Sequence, residues 1–213
     1  MSGVVPRRSQ QSKRGEARTF SLIVVGREGT RELGDYLLTY LSSRGDRVDG
    51  LLAFDHVDRL SLYHVGTDIS NIRRGPVMGQ DVVVGLSDSS TGYEKHLSTR
   101  GSFVLDSSKI TTFPARDDIN LVTVPASMLA RAALAGSPEK PEGPGSHEMV
   151  VSVMLGAVLA VLEEQPATGE LNRLFLMFHP PPVLSFVRAA CEGYDRVRDM
   201  QMRGKSSMVG VEQ

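Results

Sequence analysis

"SLIVVGREGT", residues 21–30, is the stretch whose reading decides the fold. Leu22 to Val25 form a short apolar run, Gly26 ends it, and Leu33, Leu37, Leu38 and Leu41 follow at helical spacing from about Thr30. A strand, a tight turn and a helix in that order open a βα unit. A dinucleotide-binding turn needs glycines at relative positions one, three and six, so that the backbone can close on a pyrophosphate. Those positions here hold Gly26, Glu28 and Arg31, with one further glycine at Gly29. Glu28 sets a carboxylate where the anion would lie. Gly26 is therefore expected to end the strand and Gly29 to lead the chain into the helix, with no pyrophosphate against them. Arg27 or Arg31 could still reach an anion from the side, or form an ion pair with Glu28 and do nothing chemical.

The same alternation continues outward. "SSRGD" closes the first helix, with Gly45 as its C-terminal signal. "RVDGLLAF" (47–54) and "LSLYHVGTDIS" (60–70) read as strands, the second alternating Leu60, Leu62 and His64 against Ser61, Tyr63 and Val65. "DVVVGL" (81–86), "SFVLDS" (102–107) and "INLVTV" (119–124) are further strands, with helix-compatible "SSTGYEKHLSTRG" between the first two. Short apolar runs of this kind suit a sheet covered on both faces. The expected architecture is an α/β, three-layer fold with a mostly parallel central sheet and helices on both faces.

A helix is predicted over "PASMLARAALAG", with Pro125 near its first turn and Gly136 near its end. "SPEKPEGPGSHE" is too rich in proline and glycine for a regular helix and reads as either a surface connection or a segment ordered by a partner. "EMVVSVMLGAVLAVLEEQ" follows, apolar nearly all round until Glu163, so it belongs at the centre of a core, this chain's own or a neighbour's. Gly156 and Ala157 would let another backbone approach it. A short apolar element, a proline stop and a last helix from about Val183 complete the chain. The domain reading is a flexible basic leader over 1–18, one α/β domain over 19–200, and a flexible tail over 201–213.

At 213 residues, 40% hydrophobic and 23% charged, the chain fits one globular domain with a sizeable core. A net charge of -1, no Trp and 6% aromatics argue against nucleic acid or an anionic membrane as partner. The single cysteine, Cys191, excludes an internal disulfide and a cluster held by this chain alone, and suits a reducing cytoplasm. No apolar run reaches the roughly 18 residues of a membrane span. The leader carries Arg7, Arg8, Lys13, Arg14 and Arg18 against Glu16, and reads as a solvated segment without an apolar signal core.

His56, His64, His96, His147 and His179 show no metal-ligand spacing, and Cys191 has no base beside it. "DSS" occurs at 88–90 and again at 106–108, each directly after a strand, where it can cap the next turn or meet a ligand. Arg59, Arg73 and Arg74 are further candidate anion contacts. The candidate ligand-binding set is Gly26, Arg27, Gly29, Arg31, Arg59 and Ser89. No nucleophile, proton donor and oxyanion group can be read as a set.

The order of the pieces resembles the gamma subunit, or gamma domain, of 2-oxoacid:ferredoxin oxidoreductases (pyruvate, ketoisovalerate and indolepyruvate oxidoreductases). The resemblance rests on "GREGTR" (26–31), "RLSLYHV" (59–65), "DVVVGL" (81–86), "VPASMLA" (124–130), "HEMVVSVMLGAVLA" (147–160) and "ACEGYDRV" (190–197). The family's first turn has the form G-x-G-G-Q-G, and its second segment R-G-G. This chain departs from the first at Glu28, Thr30 and Arg31 and from the second at Leu60 and Ser61. It also has His147 or Glu148 where the family has asparagine.

The resemblance implies an accessory subunit beside a thiamine-diphosphate-dependent catalytic subunit. Thiamine diphosphate and iron–sulfur clusters would sit on partner subunits, and coenzyme A is a candidate ligand at the shared edge. This chain alone would bind none of the resident cofactors, and a homo-oligomer is a further assembly to test. The alternative is a free-standing scaffold, or small-anion-binding protein, without catalytic activity.

Overall fold

The computed structural model describes residues 20–67, 79–135 and 145–209, without the side chains of 145–146 and 204–209. The basic leader, Arg73, Arg74 and the proline-rich stretch 137–144 lie outside the described residues. The chain order is β1 (Ser21–Gly26), α1 (Thr30–Ser43), β2 (Asp49–Asp55), β3 (Leu60–Gly66) and β4 (Gln80–Gly85). A 3-10 helix (Asp88–His96), β5 (Leu97–Asp106), β6 (Asn120–Val124) and α2 (Ala126–Ala135) follow. The last three elements are α3 (Gly145–Val161), α4 (Thr168–Phe178) and α5 (Leu184–Val209).

The six strands form one sheet in the order β2-β3-β1-β4-β5-β6. β1, β4, β5 and β6 run parallel, and β3 alone opposes them, since it pairs antiparallel with both β1 and β2. The mostly parallel α/β sheet is the expected one. The two-residue periodicity of β3 also holds. Tyr63 and Val65 enter one core, and Leu60 and Leu62 the other.

The two faces are covered unequally. Leu22, Val24, Val84 and Val104 point into a core built with α1 through α5. Ile23, Val25, Val83 and Phe103 point into a smaller one, closed by Tyr93 of the 3-10 helix and by Ile110. Only the first half of the predicted helical stretch at 89–101 is helical. From Leu97 the chain is already in β5, where Leu97 pairs with Gln80.

α3 is the centre of the thick side. Every residue from Met149 to Ala160 is buried, polar Ser152 included, which answers the sequence question in favour of the chain's own core. α5 lies across it so closely that a Cβ on Gly156 would stand 1.8 Å from the Ala190 carbonyl oxygen. A Cβ on Gly193 would stand 2.0 Å from that of Val153. α1 packs by the same means, Gly34 lying flat on the Tyr63 ring. α5 remains helical to Val209, past residue 200, where the sequence reading put a tail.

On the thin side, His64 and His96 are 1% and 5% exposed, and neither Nδ1 has a hydrogen-bond partner. Burial, and secondarily the field of His96, pushes His64 down to about 4. Burial and then Lys95 lower His96, against the opposing pull of Asp55 and Glu94.

Two outcomes follow from this packing. Gly156→Ala or Gly193→Ala should cost about 3 kcal/mol or more in urea unfolding, because backbone must move to admit the methyl. Gly169→Ala, where a Cβ meets nothing within 4 Å, should be neutral or slightly stabilising. Between the unfolded histidine value of roughly 6.5 and the folded value of about 4, the unfolded state binds the extra proton, so stability falls as pH falls through that window. The His64 share is on the order of 3 kcal/mol. Urea titrations from pH 7 to 4 should show the slope, and His64→Leu should flatten it.

Candidate functional site

In parallel sheets, ligands collect at the carboxyl ends of the strands where successive crossovers leave for opposite sides. Here that point lies at β1 and β4, since α1 crosses on the thick face and the 3-10 helix on the thin one. β1 ends at Gly26 and α1 begins at Thr30, as the sequence indicated. Between them Gly29 holds φ 74°, the left-handed region that side chains disfavour. Its Cα also faces the start of α3, where a Cβ would stand 2.7 Å from Val151 Cγ2 and 3.0 Å from His147 Nε2.

A cleft of about 380 Å³ opens over this turn. Arg27, Glu28, Gly29, Thr30, Arg31, Glu32, Ser61 and His147 line it. Ser61 arrives there because it pairs with Gly26 in the β1–β3 register. His147 stands in the first turn of α3, its Nδ1 3.9 Å from Glu28 Oε2. Arg31 pairs with Asp35 at 3.5 Å, one helical turn on. Thr30 is 2% exposed and its Oγ1 has no hydrogen-bond partner.

Of the six candidate residues, Arg27, Gly29 and Arg31 line the cleft, and Gly26 ends β1 just before it without lining it. Arg59 and Ser89 share the same edge of the sheet but do not line it. Arg59 turns the β2–β3 hairpin with φ 54°, and Ser89 is exposed on the 3-10 helix. The two DSS stretches act as caps. Ser90 Oγ accepts from Ser87 N at 3.1 Å, and Asp88 Oδ1 from Thr111 N at 3.1 Å. Asp106 is buried, with Oδ1 accepting from Ser108 N at 3.0 Å and Ala126 N at 3.1 Å, which ties β5 to the start of α2. Cys191 is half-buried, its thiol pushed up by burial and then by Asp195 and Glu192, away from nucleophilic character. Among the described residues no group of three or more His, Cys, Asp or Glu could hold a metal ion.

Thr30, Ser61 and His147 were not among the candidate ligand contacts in the sequence. Each departs from the G-x-G-G-Q-G, R-G-G or asparagine pattern, and that was the available signal. Departures far apart in sequence meet in one cleft because β3 pairs with β1 and α3 begins above them.

The six-stranded, mostly parallel sheet with this helical cover is the fold of oxoacid:ferredoxin oxidoreductase gamma subunits. The chain is similar to the gamma subunit of keto/oxoacid ferredoxin oxidoreductase from Geobacter sulfurreducens PCA, at TM-score 0.65 and 16% identity, over 84% of this chain and 99% of that one. It is similar to the pyruvate oxidoreductase subunit PORC from Thermotoga maritima, at TM-score 0.61 and 21% identity, over 83% and 96%. It also matches 2-oxoglutarate:ferredoxin oxidoreductase from Magnetococcus marinus, at TM-score 0.59 and 14% identity. That protein was solved with 2-oxoglutarate, coenzyme A and succinyl-CoA bound, and the match covers 87% of this chain but 31% of that one. At these identities the likeness is one of fold. By sequence, no family model and no curated protein matches the chain.

Gly29→Ala should destabilise the chain by about 1–3 kcal/mol, from the left-handed backbone and the crowding of Val151 together. Thermal unfolding measures this, and a change in the His147 ring resonances should accompany it. Ser89→Ala should be nearly silent in both.

Proposed function

We propose that the chain is an accessory subunit of a 2-oxoacid oxidoreductase-like complex. It packs on a thiamine-diphosphate-dependent catalytic subunit and brings the carboxyl edge of its sheet to a substrate or coenzyme A site. The observation that carries this reading is the span of the match: almost the whole length of two gamma subunits, 99% and 96%, is covered by this chain. The chemistry agrees. One cysteine cannot by itself hold an iron–sulfur cluster. Thiamine diphosphate and iron–sulfur clusters therefore belong to partner subunits on this reading.

The docking face we assign is the end of α4 and the start of α5. Met177 and Leu184 are 71% and 63% exposed there, beside Leu176 and Phe178. An apolar group of this size on a soluble surface marks an interaction site. Beneath it the Tyr36 hydroxyl is hydrogen-bonded to His179, whose ring stacks on Phe186 at 4.3 Å, so the patch rests on a fixed platform. None of the described helices is long and apolar enough to cross a membrane. On this reading the complex works in the cytoplasm.

A second reading, a free-standing protein that binds a small anion, is favoured by the open donors at the start of α1. Purification from the native cell under mild conditions, with identification of bound proteins, separates the two. The subunit reading expects a thiamine-dependent partner, lost by about tenfold or more in a Met177→Glu, Leu184→Glu variant. A strictly monomeric or purely self-associated protein without that partner overturns it.

A further inference from the structure

We propose that the cleft at the start of α1 binds the carboxylate of a small free acid. The amides of Thr30, Arg31 and Glu32 have no acceptor within the helix, and Gly29 brings no side chain to cap them. They sit at the positive end of the helix dipole, a place that favours an anion. A second feature points the same way independently. Thr30, 2% exposed, lines the cleft with a buried hydroxyl that no group of the protein satisfies. A buried hydroxyl without a partner is destabilising, and a ligand oxygen relieves it.

The class of anion follows from the walls. Arg27 and Arg31 are opposed by Glu28 and Glu32, and Arg31 is already paired with Asp35. The formal charges cancel, which leaves directed N–H and O–H donors, with Ser61 and His147 beside them. A singly charged, planar carboxylate suits such a set. A phosphate dianion would meet two carboxylates with no excess of positive charge to hold it. The volume of about 380 Å³ is at the low end for small-molecule sites and fits an acid of a few carbons, not a dinucleotide. This inference rests on the anion site of the second reading above and names its ligand class, and its failure would leave the subunit assignment standing.

The test is a titration of the isolated full chain, followed by the amide resonances of residues 29–32, with sodium lactate, neutral lactamide and inorganic phosphate as probes. Lactate should shift these amides saturably, with a dissociation constant on the order of 1 mM. Lactamide should bind at least about tenfold more weakly, and phosphate no more tightly than lactate. Thr30→Val should weaken lactate by about tenfold, while the melting temperature without ligand stays level or rises, because an unpartnered hydroxyl has gone. Ser61→Ala, at the open wall of the cleft, gives a second reading of affinity in a chain whose core is untouched. No saturable shift, equal binding of lactamide, tighter binding of phosphate, or unchanged affinity in both variants would each overturn the proposal.

Discussion

The architecture depends on one close approach, the crossing of α3 and α5 at Gly156 and Gly193. Each glycine faces a carbonyl oxygen of the other helix at a distance that admits no methyl. Two helices at backbone contact bury α3 on every side, which is what a helix with no polar stripe requires. Everything on the thick face of the sheet is placed relative to that pair. α1 joins it through Gly34 on Tyr63 and through the Tyr63 hydroxyl, which donates to Asp35 Oδ1 at 2.7 Å. α4 joins through Tyr40, which donates to Glu170 Oε2 at 3.2 Å, and through Arg44, which bridges Glu164 and Glu170.

The same crossing sets the cleft. Because α3 cannot slide past α5, its first turn is held over the β1–α1 turn, and His147 and Val151 press on Gly29. The turn therefore has little freedom to rearrange around a large ligand. A site built this way selects by the direction of its donors, and its mixed walls give it little long-range pull on charged molecules. The thin face is a different environment. A 3-10 helix and a loop close it, and two buried imidazoles lie within it, both pushed toward the neutral form chiefly by burial. The Tyr93 hydroxyl ties that cover to the sheet by donating to Asp55, whose carboxyl is held down chiefly by that bond.

Placed beside the pattern it resembles, the chain departs mostly around the cleft, with Leu60, a core residue of the thin face, the exception. The apolar strands and the small residues of the α3–α5 crossing persist. Glu28, Thr30, Arg31 and Ser61 stand where the resembled pattern has glycine or glutamine, and His147 or Glu148 where it has asparagine. Packing constraints act on volume at backbone contacts, so Gly156 and Gly193 have no substitutes. Glu28, Arg31 and Ser61 are not in the buried core, and a larger side chain there alters chemistry without disturbing it.

Local chemistry in the sequence was enough for the strands, the turn at Gly26 and Gly29, the C-terminal glycine of α1 and the caps at Ser90 and Asp106, since each depends on neighbours a few residues away. It was also enough to assign α3 to a core, because a helix apolar all round has no alternative in water. It could not place β3 between β1 and β2, nor end the 3-10 helix at His96, because strand pairing between distant segments overrides local preference there. Nor could it show that Thr30, Ser61 and His147 share one cleft with Arg27 and Arg31. That proximity comes from the β1–β3 register and from the α3–α5 crossing, both set by contacts between residues far apart in the chain, and only the folded structure contains them.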